Sequence, residues 1–474
     1  MLFSSMIFLW IFLPVVLAGS FLLRKPRWVN PFLVLASLFF YAWGEPVNVL
    51  IMLFSILLNY GAGLLLARFE GEDPYDVRKL VLTLDILLNL ALLGYFKYMG
   101  LLMEGLNAVL ALFHGGALEV PAIALPIGIS FFTFQALSYV VDVYRGQVQA
   151  QRKLINVALY ISFFPQLIAG PIVRYREINE QIENRTVTWD GFALGARRFI
   201  YGLSKKVLIA NVVARGADAL YKLDVGSVTG GMAWLAAILY TFQIYYDFSG
   251  YSDMAIGLGR MFGFTFSENF NYPYLSRSIR EFWRRWHISL SAWFREYVYI
   301  PLGGNRKGAA RTYLNLCIVF LLTGIWHGAG VTFILWGAYH GLFSVLERLG
   351  LGKLLKKLGP VGWLYAFLVA VFGWVLFRVE DAPAAFQLMG RMLTPWRYTV
   401  TPLHLYDYVT RHMLMMLPLA FLGMGPVQAL AEKTGLAKKW KYSLPEAIFC
   451  AALLAVCIGS LASSSYNPFI YFKF

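Results

Sequence analysis

Apolar stretches recur along this chain from end to end, and they leave little that could face water over a wide area. Met1–Leu23 is the first. Others cover about 30–44, 46–67, 81–103, 123–144, 154–172, 191–213, 230–262, 312–328, 331–348, 361–378, 411–430 and 446–463. A membrane-spanning helix needs ~20 consecutive apolar residues. Several of these stretches are shorter, or broken by Gly and Pro, which suits re-entrant segments and paired half-helices. The pattern predicts an all-α polytopic membrane protein with about 11 transmembrane helices plus re-entrant and interfacial helices. Composition agrees, because only 14% of the 474 residues are charged, against ~25% in soluble proteins. That scarcity excludes a soluble multidomain protein, and the apolar content excludes disorder. Cys317, Cys450 and Cys457 all lie in apolar runs, so neither a disulfide frame nor a zinc ribbon is expected.

The charges that remain are lopsided, with 41 Lys and Arg against 26 Asp and Glu. In a membrane protein such an excess marks cytoplasmic loops. Met1–Leu23 has no basic region before it, and its first charge, Arg24, follows it. It reads as a retained span with the N-terminus outside. The loops holding Arg24–Arg27, Arg68–Lys79 and Arg145–Lys153 then fall inside. Counting back from an outside C-terminus places Lys433–Lys441, Lys353–Lys357 and the large segment 263–311 inside as well, in agreement with the positive-inside rule. No internal repeat, heptad array or low-complexity tract appears, so residues 1–474 read as a single integral-membrane domain.

Residues 272–311 do not look like a simple loop. Arg277, Arg280, Arg284, Arg285, Arg295, Arg306, Lys307 and Arg311 stand against only Glu281 and Glu296, with Phe282, Trp283, Trp286 and Trp293 among them. At helical spacing, Arg277, Arg280, Arg284 and Trp286–His287 would line one face. Tyr297–Pro301 then leads into a tight Leu-Gly-Gly-Asn-Arg-Lys turn. Two readings stand: an interfacial helix on anionic lipid headgroups, or a site for a polyanionic cytosolic ligand, which arginine suits. Nucleic acid does not fit, since the chain lacks the exposed surface a groove reader needs.

Three histidines lie away from the outer loops. His327 ends a span in Thr323-Gly-Ile-Trp-His-Gly-Ala-Gly330, His340 lies in the next span, and His287 lies in the basic segment. Ionisable groups at membrane depth are costly and usually line a cavity. Flanking glycines let a substrate or a backbone approach closely. His327 is therefore either a general base or half of a helix–helix hydrogen bond at a small-residue crossing. For His340 the second reading is the stronger. No carboxylate separates His327 from His340, so no metal site is expected. Asp247, Ser249, Ser252 and Asp253 interrupt another apolar run. Asp247 and Asp253 do not share a helical face, so they are expected to pair with basic groups or cap a broken helix rather than work as an acid/base pair.

With these residues in view, the chain resembles the membrane-bound O-acyltransferase (MBOAT) family, and within it the bacterial members that acetylate exported polysaccharides. The resemblance rests on Leu125-Pro-Ile-Gly-Ile-Ser-Phe-Phe, Phe164-Pro-Gln-Leu-Ile-Ala-Gly-Pro-Ile, Tyr246-Asp-Phe-Ser-Gly-Tyr-Ser-Asp-Met, Glu281-Phe-Trp-Arg-Arg-Trp-His-Ile-Ser-Leu-Ser, Tyr299-Ile-Pro-Leu-Gly-Gly-Asn-Arg, Ile325-Trp-His-Gly-Ala and the closing Asn467-Pro-Phe-Ile-Tyr-Phe-Lys-Phe. It implies a helical ring around a central tunnel. It also implies His327 as the catalytic histidine and His287 as the second, more cytoplasmic one. The implied donor is cytoplasmic acetyl-CoA, with no permanently bound cofactor. The implied final acceptor is an exported, alginate-like polysaccharide, reached through an extracytoplasmic esterase-like acetyltransferase partner.

On that resemblance Arg277, Arg280, Arg284, Arg285, Arg306 and Lys307 become candidates for the donor's phosphates. Trp283 or Trp286 becomes a candidate for stacking on its adenine. Trp326 and Gly328 would shape the tunnel constriction, with Asp247 and Ser249 further candidates for its wall. His327 would take the proton of the attacking hydroxyl, or carry the acetyl group itself. His287 would orient the donor or stabilise its carbonyl oxygen. Two other functions remain open at this point: acyl transfer such as D-alanylation from a carrier protein, and transport without acyl chemistry.

Overall fold

The computed structural model describes residues 1–71, 76–114, 116–399, 401 and 403–470. The family-like closing run is therefore seen only as far as Ile470, and Tyr471–Phe474 lie outside the described residues. Among the described residues every regular element is a helix and there is no strand. Six helices are long and apolar enough to cross a membrane: Val49–Arg68, Val77–Leu112, Gly308–His327, Pro360–Arg378, Arg411–Lys433 and Leu444–Ser463. Two shorter apolar ones are Phe8–Leu23 and Ile129–Tyr144.

Several stretches counted towards about 11 spans are divided or made polar in ways that hydropathy does not register. The 154–172 stretch is split into Leu154–Ser162 and Phe164–Leu167. The break is at Phe163, whose ψ of 112° is not helical; the Phe164 N–H leaves the Tyr160 carbonyl for Ser37 Oγ at 3.1 Å, and Pro165 has no N–H to continue the ladder. Gln166 Nε2 instead donates to the Tyr160 carbonyl, 2.5 Å away. The 191–213 stretch carries a π-helical segment at Lys205–Ala210. Gly230–Met261 is a single helix of 32 residues, but it holds Asp247, Asp253 and Arg260.

The chain divides into two compact units, Met1–Ala196 with Ala255–Ser267, and Arg197–Met254 with Glu268–Phe474. In the first unit Gly63 sits under Tyr139, where a Cβ would come within 2.3 Å of the phenolic oxygen. Asn59 and Asn89 exchange amide hydrogen bonds of 3.2 and 3.3 Å between neighbouring spans. Phe3, Phe8, Phe12, Phe40 and Phe164 form an aromatic cluster at one place in this unit.

The second unit holds all the residues on which the catalytic expectation rests. Gly308–His327 and Val331–Leu346 form a helical hairpin. Its two helices cross at glycines: a Cβ on Gly324 would meet the Phe333 carbonyl oxygen at 2.3 Å, and one on Gly337 the Phe320 carbonyl oxygen at 2.4 Å. Small residues at such a crossing replace side-chain packing by backbone contact. Most of the basic side chains on Arg197–Ala210 are answered inside this unit. Asp253 binds Arg198 at 2.9 Å and Lys205 at 2.6 Å. Asp247 binds Lys206 at 2.6 Å, with both side chains almost fully buried.

Candidate active site

His327 is the last residue of its helix. Gly328 turns the chain out of the helix into extended backbone, at φ −167° and ψ 161°. Any side chain there would strike Phe333, whose ring carbon lies 2.2 Å from where a Cβ would stand. The glycines of this motif therefore serve close packing of the hairpin, and they hold the His327 imidazole at the tip of the helix.

His287 reaches the same place by a different route. The helix expected to carry the basic face runs only from Ile279 to Arg285, with Ser278 Oγ accepting the Glu281 N–H at its start. Trp286 is extended and His287 is left-handed, at φ 45°. Arg277 and Trp286–His287 therefore lie outside the helix, and the single face expected for them does not form. The cause is Asn269. Its backbone carbonyl accepts the Ile288 N–H at 3.0 Å. Its side-chain Oδ1 accepts the Ser289 N–H at 3.2 Å and the Ser289 hydroxyl at 2.8 Å. The same Oδ1 lies 3.2 Å from His287 Nδ1. Asn269 Nδ2 donates to Ser252 Oγ at 3.0 Å, which fixes the amide orientation.

This network decides the tautomer. An oxygen that accepts a backbone N–H cannot itself donate, so His287 Nδ1 carries the proton and Nε2 carries the lone pair. Burial pulls the His287 imidazole down to about 3, so it is neutral at physiological pH.

The two imidazoles face each other across 6.3 Å between ring centroids. Trp326 lies 4.9 Å from His327 and 6.0 Å from His287. Trp336 and Phe377 close on His327 at 5.1 and 5.2 Å, and Phe248 on His287 at 4.7 Å. His340 stands behind this group, where its Nδ1 accepts from Trp283 Nε1 at 3.4 Å. A cavity of about 310 Å³ lies on the far side of Phe377, which packs on His327; neither histidine lines it. Its polar wall includes Asp218, Gln243, Thr332, Arg378 and Glu380. Pro468, Phe469 and Ile470 form another wall, anchored below by the Ile470 N–H on Asp247 Oδ2 at 2.8 Å and by Lys206, which donates to the Pro468 carbonyl.

The other sequence candidates separate into two groups. Arg277, Arg280, Arg284, Arg306 and Lys307 have exposed side chains, while Arg285 is half-buried on Glu281 at 2.9 Å. Gly303 and Gly304, at φ 102° and 55°, make the expected turn before Arg306. Trp283 and Trp286 are buried: Trp286 stacks on Phe282 at 5.5 Å and meets Trp374 at 4.8 Å. Neither ring offers a face for adenine. Asp247 braces the C-terminal wall, and the Ser249 hydroxyl is buried with no hydrogen-bond partner among the described residues.

Sequence reasoning missed Asn269, Lys206 and Glu347. Glu347 is buried and accepts the Ile279 and Arg280 N–H groups, which seats the basic helix. Only a charge flanking an apolar run signalled Lys206 and Glu347, each beside another charged residue, Lys205 and Arg348. Nothing in Glu268-Asn-Phe-Asn271 signalled Asn269.

The MBOAT, membrane-bound O-acyltransferase, family model matches residues 127–377. The chain is 43% identical to the probable alginate O-acetylase AlgI of Pseudomonas putida, over 100% of both chains. It is 37% identical to the peptidoglycan O-acetyltransferase of Helicobacter pylori, over 83% of this chain and 80% of that one. With the teichoic acid D-alanyltransferase of Bacillus subtilis it shares 28% identity, over 46% of this chain and 57% of that one.

Proposed function

The chain belongs to the membrane-bound O-acyltransferase family, and we propose that this multi-pass membrane O-acyltransferase moves acetyl groups from cytoplasmic acetyl-CoA to an exported, alginate-like polysaccharide. The observation that carries the reading is the facing of His287 and His327 at 6.3 Å inside an aromatic enclosure, beside a cavity with polar walls. Identity to the alginate O-acetylase over the full length favours acetyl over D-alanyl transfer.

In this reading the spans, about 11 with re-entrant pieces, ring a tunnel. Both chain ends are extracytoplasmic and the 272–311 segment is cytoplasmic. The exposed Arg277, Arg280, Arg284, Arg306 and Lys307 raise the local concentration of the polyanionic donor and engage its phosphates. The buried Trp283 and Trp286 pack into the aromatic core, on His340 and on Phe282 and Trp374, instead of stacking on adenine. His287 offers a lone pair at Nε2, so it orients the donor by accepting from an amide N–H of the pantetheine arm. A neutral imidazole in this tautomer cannot donate to the carbonyl oxygen, so that role is dropped.

His327 takes the proton of the attacking hydroxyl as its oxygen bonds to the thioester carbonyl carbon. The carbon–sulfur bond then breaks, and the leaving thiolate recovers the proton from the imidazolium. Trp326, Trp336 and Phe377 exclude water, which would otherwise take the acetyl group. The hydroxyl arrives through the 310 Å³ cavity, from an extracytoplasmic partner enzyme or from the polymer itself. In purified protein with labelled acetyl-CoA, His327→Ala is expected to abolish thioester turnover while leaving yield and folding unchanged. Retained turnover would sink the assignment. Movement of intact acetyl-CoA would make the protein a transporter.

A further inference from the structure

Two cavities of the first unit adjoin at Arg185, Thr186 and Thr188, which line both, and together they form a depression in two parts. One part, of about 650 Å³, is largely apolar, with Leu17, Phe21, Val29 and Phe262 in its wall and Arg24 at its edge. The other part, of about 490 Å³, is polar and brings in Arg260. Three arginines thus meet one carboxylate, Glu180, around the whole depression. Among the described residues none of these arginines makes an ion pair.

The middle arginine is held in place by neutral partners. Arg185 donates to Asn30 Oδ1 at 2.7 Å and to the Ile182 carbonyl at 2.8 Å, and it lies 4.4 Å over the Phe264 ring. Its charge is therefore positioned but not neutralised. Trp189, 78% exposed, stacks on Phe21 at 5.7 Å and forms the lip of the apolar part. Trp28, 57% exposed, follows Arg24 in the first turn of the helix Pro26–Ala42. Exposed tryptophans sit at headgroup depth in membranes, so the arginines lie where lipid phosphates are.

We propose that this depression binds one anionic phospholipid of the leaflet on the Arg24 side. Its phosphodiester is held by Arg24, Arg185 and Arg260, and an acyl chain runs along Leu17, Phe21, Val29 and Phe262. Arginine presents paired donors suited to a phosphate, and the apolar wall supplies the second half of an amphiphile's requirement. A free phosphate would leave the larger, apolar part of the depression empty. A zwitterionic lipid would leave the arginine charge unanswered.

The full-length protein in neutral detergent tests this by native mass spectrometry. Phosphatidylglycerol and phosphatidylcholine of identical chains would be titrated in parallel. Retention of one phosphatidylglycerol is expected to be about a hundredfold tighter, from ~1 kcal/mol for each of the three arginines. The exposed pair Arg24→Gln and Arg260→Gln should bring the two lipids within about fivefold, the share left to Arg185. Leu17→Trp, which crowds the apolar part, should weaken both lipids. Lys438→Gln with Lys439→Gln, elsewhere on the surface, should change nothing. Equal retention of the two lipids by the native protein would overturn the proposal. So would an undiminished preference in the double arginine variant, a preference lost in the lysine variant, or complete displacement by millimolar inorganic phosphate.

Discussion

Replacing Asn269 is the sharpest test of how the histidine pair is held. Its side chain makes four hydrogen bonds, to His287, twice to Ser289, and to Ser252, all between buried groups. Asn269→Ala leaves the Ser289 N–H and the His287 Nδ1–H without their acceptor. Each orphaned buried group costs ~1–3 kcal/mol, so a stability loss of about 2–5 kcal/mol is expected. The imidazole is also released to turn and to exchange tautomers, moving the Nε2 lone pair. A misplacement of about 1 Å can cost ~10²-fold in rate, so kcat/KM for acetyl-CoA should fall about 10²-fold.

Asn269→Asp separates this from plain destabilisation. A carboxylate still accepts from Nδ1 and from Ser289, so it preserves the tautomer, and only the donation to Ser252 is lost. It should therefore recover most of kcat/KM, even though it introduces a buried charge. The assay is steady-state release of CoA by purified protein, normalised to the folded fraction from size exclusion. Wild-type kcat/KM in folded Asn269→Ala would refute the positioning argument. So would an Asp variant no better than Ala.

Three further outcomes follow from the same geometry. Asp247→Ala should destabilise the protein by ~3–5 kcal/mol by stranding buried Lys206, whereas Lys206→Met with Asp247→Leu should recover much of that in thermal unfolding. Gly337→Leu should drive the helical hairpin apart, because its side chain starts 2.4 Å from the Phe320 carbonyl; turnover should be lost, with lower yield of folded protein. His287 lies outside the segments read as spans, and its folded pKa of about 3 is below the unfolded ~6.5. Its contribution to stability is thus complete above pH ~6.5 and is lost as pH falls towards 3, so His287→Gln should flatten denaturation midpoints between those limits relative to the native protein.

Much of this was legible in the linear chain for plain reasons. Apolar runs of spanning length point to membrane helices in a chain so poor in charge, and six of the described helices are long and apolar enough to cross a membrane. The short motifs around His287 and His327 mark both histidines, and for His327 the cost of an ionisable group at the end of a span adds to the signal. Asp247 and Asp253 were legible as paired rather than catalytic, since a helix puts them on different faces, and each has its own basic partner. The length of the helix after Ser278 was misjudged. Spacing treats residues 277–287 as one regular run, and spacing carries no information about a distant amide that pulls residue 287 into a left-handed turn.

The chain by itself determined where spans can form and which histidines are costly enough to matter, because hydropathy and desolvation are local properties of residues. Only the tertiary structure decided that His287 and His327 meet. It also decided that Asn269 assigns the proton on one of them, that Trp283 and Trp286 are buried in the aromatic core, and that Pro468–Ile470 returns to line the cavity. Each of these rests on contacts between segments far apart in sequence. Such contacts depend on how the helices pack, and no window of residues contains that information.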